Sequence, residues 1–336
     1  MAFSLASLIT LAAGCPSSAP TAAKVVTVYC AADREFAEGL FSAFEKETGV
    51  HVDAKYDTES AKTTGLGQEI AAERDRPRCD VFWDNELVQV LLLAGQGALA
   101  PLSSATLARS PVHGNRWIGF AARARVLLVN TSVVPKDARP RSVRDLADPR
   151  WKGRTGIANP LFGTTQDHVA ALFAKLGADE GRALLKAFKE NEVAVCAGNA
   201  DVQKRVSSGE LAFGFCDTDD AYEALSDKKP VEIVFPDQDG IGTLVLPNAL
   251  AIPTGAPHEE NALRLIEWLA SEKGETPLAQ GPGQHLPLLG GPAPAIFPKD
   301  LKAMSVDWDE VERQGPPSRE AVEKILLGSG GGGGGG

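Results

Sequence analysis

Residues 26–50 read VTVYCAADREFAEGLFSAFEKETGV, and the change of period inside this stretch decides the fold. Val25-Val26-Thr27-Val28-Tyr29-Cys30 is an unbroken β-branched and aromatic run, the pattern of a strand buried on both faces. From Arg34 to Thr48 the period lengthens: Phe36, Leu40 and Phe44 recur every four residues with Phe41 beside them. That spacing puts one apolar stripe on a helix, which Gly49 ends. The alternation then repeats. Residues 50–56 predict a strand, 61–74 a helix, Asp80-Val81-Phe82-Trp83 a strand and 85–94 a helix, with Asp84 placed as its N-cap and Gly95 or Gly97 as its stop. A β-α-β-α-β-α series predicts a parallel sheet covered by helices.

Two later apolar runs follow a different logic. GFAARARVLLVN (119–130) and TLVLPNALAI (243–252) flank a second α/β series. Its strands are predicted at 155–158, 192–196 and 211–216, its helices at 165–176, 180–190 and 201–208. The two runs read as crossovers: the chain leaves a first lobe, builds a second, and returns to finish the first with a helix over 259–270 and the C-terminal helices. The expected fold is therefore α/β, two lobes joined by two crossover strands with a ligand cleft between them. Lobe one is assigned to 24–118 plus 244–327 and lobe two to 119–243. An inserted lobe on two crossing strands is a hinge design.

Composition narrows the function. With 34 Lys and Arg against 44 Asp and Glu, the net charge is −10, which excludes nucleic acid as a partner, since phosphate binding relies on basic residues. The apolar run from Ala2 to Gly14 is too short to span a bilayer. It ends in Leu11-Ala12-Ala13-Gly14-Cys15, which resembles a bacterial lipobox, although no Lys or Arg precedes it. On that reading 1–15 is a signal peptide, Cys15 is lipidated, 16–23 is a tether, and the mature chain is a monomer anchored by its lipid at the periplasmic or cell surface. Secretion permits disulfides. Cys196 and Cys216 end strand-like runs in the same lobe, so a bridge and buried free thiols both remain open, and the other cysteines, Cys30 and Cys79, match no zinc spacing. The glycine run 328–336 predicts a disordered tail.

Taken together, VTVYCAADREFAEGLFSAFEKETGV, CDVFWDNE, GFAARARVLLVN, DLADPRWKGRTGIANP, GNADVQKRVSSGELAFGF and EENALRLIEWLASEKGE resemble, in this order and spacing, bacterial periplasmic solute-binding proteins of the ferric-ion-binding type. The resemblance implies a cleft that closes on a small solute, delivery to the permease and ATPase of an ABC importer, and no enzymatic activity. It implies no resident cofactor; ferric iron or another hard metal, with a synergistic anion, would be cargo. The family's adjacent pair of iron-binding tyrosines falls on Asp219 and Asp220, its histidine near Ala32, and its acidic ligand on Asn85, flanked by Asp84 and Glu86. Tyrosinate capture of iron is therefore not expected.

Ligands of open parallel sheets sit beyond the carboxyl ends of the strands. That rule independently selects residues 30–33, Thr58-Glu59-Ser60, Trp83-Asp84-Asn85-Glu86, residues 159–164, Gly198-Asn199 and Asp217-Thr218-Asp219-Asp220. Three chemistries emerge. The acidic groups Asp219 and Asp220, with Asp84 facing them, form an oxygen donor set for a hard cation or an ammonium group; helix capping accounts for part of the 217–220 run. Gly163-Thr164-Thr165 opens a helix and offers amides and hydroxyls to an anion, or simply caps it; the family resemblance gives this position the anion. Arg123 and Arg125 share one face of a crossover strand and suit an anion or an acidic neighbour. Trp83 is expected to wall the cleft and Phe162 to pack in the core. Two ligands fit this set, a hard metal with an anion at Thr164 and Arg123, or a zwitterion such as 2-aminoethylphosphonate. A remote third reading is an enzyme using Asp219 and Asp220 in acid/base work; no nucleophile elbow or phosphate-binding loop supports it.

Overall fold

The computed structural model describes residues 24–57 and 65–328. Cys15, the tether, Thr58-Glu59-Ser60 and the glycines beyond Gly328 lie outside the described residues. The chain opens as expected: β1 (Val25–Cys30), α1 (Arg34–Thr48), β2 (His51–Tyr56), α2 (Gly65–Ala72), β3 (Val81–Asp84) and α3 (Leu87–Gly95). β1 pairs in parallel with β2 on one side and β3 on the other. The α1 stripe buries Ala37, Leu40, Phe41 and Phe44, and Gly49 ends the helix in the left-handed region at φ 68°. A short α4 (Ser104–Leu107) leads to β4 (Trp117–Asn130), fourteen residues long and buried throughout.

The second series comprises β5 (Thr155–Ala158), α5 (Gly163–Leu176), α6 (Ala178–Glu190), β6 (Ala194–Cys196), α7 (Asn199–Ser207), β7 (Phe213–Asp217) and α8 (Thr218–Ser226). A strand missed in the sequence, β8 (Val231–Val234), pairs with the end of β4. Its four residues, with Glu232 exposed and the rest only partly buried at the third and fourth positions, carry too short a pattern to stand out. β9 (Val245–Ala251) returns the chain to β3, and α9 (Glu259–Leu269), α10 (Glu272–Gln280) and α11 (Trp308–Ala321) follow.

One sheet runs β2-β1-β3-β9-β4-β7-β5-β6. β4 joins its two parts: residues from Trp117 to Ala124 pair with β9, and from Arg125 onward the strand pairs with β7. The two apolar runs are thus the crossovers expected of them. A bulge interrupts β4 at Ala121, whose φ of 39° is held by two buried partners. Its amide donates to Glu275 Oε1 at 2.7 Å, and its carbonyl accepts from the Asn248 side chain. Such a bulge re-aims the residues beyond it, here Arg123 and Arg125.

One apolar cluster runs through both parts of the fold, joining α2 and α3 to α5, α6 and α11, and two smaller clusters fill one part each. The C-terminal helix α11, expected to complete lobe one, packs on α5 and α6 as well as on α3. The four described cysteines are free and buried. A Cys196–Cys216 bridge is ruled out by topology, because β5 lies between β6 and β7 and a disulfide needs Cα atoms within about 7 Å. Among the described residues no helix is long and apolar enough to cross a membrane.

Candidate functional site

Arg125 stands directly opposite Asp217 in the β4–β7 ladder, at the point where β4 exchanges one partner strand for another. The register alone brings the two together. Arg125 Nη1 lies 2.6 Å from Asp217 Oδ1. The same guanidinium donates to the hydroxyls of Thr164 and Thr165, each at 2.8 Å, and to Asn199 Oδ1 at 3.1 Å. Thr164 in turn donates to Asp217 Oδ2 at 2.7 Å, and Asn199 donates to the same oxygen at 3.0 Å. Arg125 also stacks over the Phe215 ring at 4.5 Å. It is fully buried. Burial alone would raise the Asp217 carboxyl, but Arg125 and Arg123 overcome it and hold the group below the usual carboxylate range.

Arg123, two residues earlier on the same face, points toward the next carboxylates. Its Nη1 lies 3.1 Å from Asp219 Oδ2 and 3.4 Å from Asp217 Oδ2, and its Nη2 donates to the Asn85 carbonyl at 3.1 Å. Asp219 and Asp220 open α8 and sit closer to the cleft mouth, both half-buried. Oxygens of Asp217, Asp219 and Asp220 lie within 4.8 Å of one another, a grouping able to hold a metal ion. Burial raises the carboxyls of Asp219 and Asp220, reinforced for Asp220 by its acidic neighbours.

From the other lobe come Asp84 and Glu86. Asp84 is fully buried; its Oδ1 accepts the Glu86 amide at 2.9 Å, and its Oδ2 has no hydrogen-bond partner among the described residues. It does not belong to the carboxylate grouping around Asp219. Nor does it cap α3 as expected. It ends β3 two residues before Glu86, the residue just ahead of that helix, and the α3 amides are taken instead by Asp167 of α5, with Leu87 N at 2.8 Å and Val88 N at 3.0 Å. Glu86 Oε2 accepts the Gly163 amide at 3.1 Å. Burial pushes Asp84 and Glu86 well up, and Asp167 up to about 7. Six buried or half-buried carboxyl groups (84, 86, 167, 217, 219 and 220) thus share two guanidinium groups, Arg123 and Arg125. The surplus favours a cationic guest.

Of the groups expected for an anion, the Thr164 hydroxyl accepts from Arg125 and donates to Asp217, the Thr165 hydroxyl accepts from Arg125, and the Gly163 amide donates to Glu86. The two aromatic expectations are reversed. Trp83 is core, edge-on to Phe41 and Phe120 and donating to Asn248 Oδ1 at 3.1 Å, because β3 is covered on both faces. Phe162 is 42% exposed, with Arg319 near its ring. Sequence reasoning missed Asp167 and His285. Asp167 sits inside an amphipathic helix with nothing to mark it. His285 pairs into the site from a distant segment, since Leu286 bridges to Ala122 and sets the imidazole beside Arg123. Burial first, then Arg123, pushes His285 down to about 3, so it stays neutral, and its Nδ1 has no hydrogen-bond partner among the described residues.

This geometry, an α/β pair of lobes with a charged cleft at the crossover, is that of a solute-binding protein. Residues 39–300 match the family model of the bacterial extracellular solute-binding proteins, and the chain belongs to that family. It is 31% identical to iron uptake protein A1 of Synechocystis, over 75% of this chain and 73% of that one. It is 29% identical to an Fe(3+)-binding periplasmic protein of Serratia marcescens over 90% of both. The fold is that of iron-bound HitA from Pseudomonas aeruginosa, with a TM-score of 0.72 over 91% of this chain and 99% of that one, at 24% identity. It is the two-lobed periplasmic-binding-protein fold of type II. Members of this family bind solutes and are not enzymes.

Proposed function

We propose that this chain is the solute-capturing component of an ABC importer and that its cargo is a hard cation, with ferric iron as the leading candidate. The observation that carries the reading is the surplus of carboxylates at the mouth of α8, where Asp217, Asp219 and Asp220 converge within 4.8 Å. Oxygen-only donor sets suit hard ions. Asp219 and Asp220 supply the first ligands, on the positions that correspond to the family's tyrosines. Asp217 is committed to Arg125 and fixes the geometry, and Asp84 and Glu86 stand on the facing lobe. The names of the relatives point the same way.

On this reading lobe one is built on 24–118 and the return segment 244–327, whose α11 also packs on α5 and α6 of lobe two, lobe two on 119–243, and β4 and β9 act as the hinge. Closure brings Arg123 against the Asn85 carbonyl and Glu86 against Gly163. The monomer is held at the membrane by a lipid on Cys15 and passes its cargo to a permease with its ATPase. A zwitterion such as 2-aminoethylphosphonate would find its ammonium partners here, but its phosphonate would have to displace Glu86 or Arg125 from their present bonds.

A thermal-shift series tests the cargo. Ferric iron should raise the melting temperature in proportion to the logarithm of its excess, and 2-aminoethylphosphonate should not. A shift with the aminophosphonate and none with iron would overturn the cation reading and assign the aspartates to an ammonium group.

A further inference from the structure

The two lobes exchange carboxylates across the cleft. Glu86, just ahead of α3, accepts the amide of Gly163, the first residue of α5, at 3.1 Å. Asp167, one turn into α5, accepts the amides of Leu87 and Val88, the first residues of α3, at 2.8 and 3.0 Å. Neither helix receives a side-chain cap from its own preceding residue, Glu86 for α3 and Phe162 for α5. Each is completed by the opposite lobe. The leading amides of a helix carry partial positive charge and take up small anions when they are left open. In this cleft the Gly163 amide of α5 and the Leu87 and Val88 amides of α3 are already bonded to carboxylates of the chain. The carboxylate lies directly against the start of α5: a Cβ built on Gly163 would meet Glu86 Oε1 at 3.5 Å. Nearby, the Thr164 hydroxyl donates to Asp217, and Arg123 serves Asp219 and the Asn85 carbonyl.

We infer that Glu86 is a specificity-determining residue: its carboxylate fills the seat at the start of α5 that an accompanying anion would take, so that the cleft captures its cation without an exogenous anion. Asp167 fills the matching seat at α3. The chain's own side chains therefore supply the negative groups on both sides of the cleft, and closure of the lobes is what delivers Glu86 to Gly163. Removing the Glu86 side chain reopens one seat while leaving the Asp217–Asp219–Asp220 grouping in place. Glu86→Gln keeps an oxygen acceptor for the Gly163 amide without the charge, and so keeps the seat filled.

This inference rests on the cation reading above, and the experiment separates the two. Wild-type full chain, Glu86→Ala and Glu86→Gln are titrated by calorimetry with inorganic phosphate alone. They are then equilibrated with ferric iron from one nitrilotriacetate donor, with and without phosphate. The wild type should show no heat with phosphate and the same iron affinity in both buffers. Glu86→Ala should bind phosphate and lose about tenfold in iron affinity, the scale of one charge-assisted hydrogen bond, with phosphate restoring it. Glu86→Gln should lose affinity without phosphate rescue, which shows that the open seat and not general disruption creates the requirement. Wild-type iron binding that strengthens with phosphate, or Glu86→Ala that phosphate does not restore, overturns the inference. If the wild type takes up no iron, the cation reading fails, and phosphate alone still decides the role of Glu86: binding to Glu86→Ala and not to the wild type upholds it, and binding to neither overturns it.

Discussion

Asp217 and Asp220 are three residues apart at one strand-to-helix junction, yet the structure treats them in opposite ways. Asp217 ends β7 opposite Arg125 and is bonded by Arg125, Thr164 and Asn199, so its carboxyl is held below the usual range. Asp220, on the first turn of α8, faces Asp219 and Asp217 with Arg123 and Arg125 already engaged, and its carboxyl is pushed well up. A buried charge with its partners in place is architecture. Carboxylates crowded together without enough partners are poised to gain from a cation, because the guest supplies the missing charge.

The largest effect should come from the architectural side. Arg125→Ala strands Asp217 in the interior, and breaking a buried pair from one side costs about 3–5 kcal/mol. Chemical denaturation should show that loss; a change near zero would mean that Asp217 is not held by Arg125. The binding side should respond to pH. Asp167, with its carboxyl raised from 3.8 to about 7, and the raised groups at 84, 86, 219 and 220 all prefer the proton in the folded chain. A raised carboxyl contributes stability that is fully present below its unfolded value and is lost as pH rises through its folded value. The cation-free melting temperature should therefore fall as pH climbs from below 4 through about 7. Cation affinity should rise with pH as the raised carboxyls of Asp219 and Asp220 give up their protons, and calorimetry in buffers of different ionisation heat would count the protons released on binding. A pH-independent affinity would place the cation elsewhere.

Smaller effects refine the contrast. Gly163 adopts φ 68° beside Glu86, so Gly163→Ala should cost about 1–2 kcal/mol from the left-handed conformation, visible as a lowered melting temperature. Asp84→Asn should change stability by less than about 1 kcal/mol, since Asp84 Oδ2 has no partner to lose among the described residues. It should weaken cation binding less than any change at Asp219 or Asp220. An equal or greater loss would bring Asp84 into direct contact with the ligand.

Much of the fold was legible because period and order are local. The change from β-branched runs to a four-residue spacing located β1 and α1, and the two uninterrupted apolar runs located β4 and β9. The strand-end rule brought forward Asn85, Glu86, Gly163, Thr164, Asn199, Asp219 and Asp220, all of which line the same charged region. What the sequence could not carry was partnership. Thr164 and Thr165 read equally as an anion seat or as caps until the β4–β7 register set Arg125 against them. Asp167 looks like any polar residue on a helix, and its role at α3 exists only when the lobes meet. Trp83 and Phe162 exchanged roles for a similar reason, because burial at a strand end depends on which elements arrive from elsewhere in the chain.

The most direct measurement is iron uptake by Asp219→Asn/Asp220→Asn compared with the wild type, by equilibrium dialysis with a thermal melt of each metal-free protein. The account predicts stoichiometric uptake by the wild type and a loss of roughly a hundredfold or more in affinity, about 2.7 kcal/mol, in the double variant, whose metal-free melting temperature is unchanged or higher because two crowded carboxylates are gone. Undiminished uptake by a well-folded double variant would contradict it.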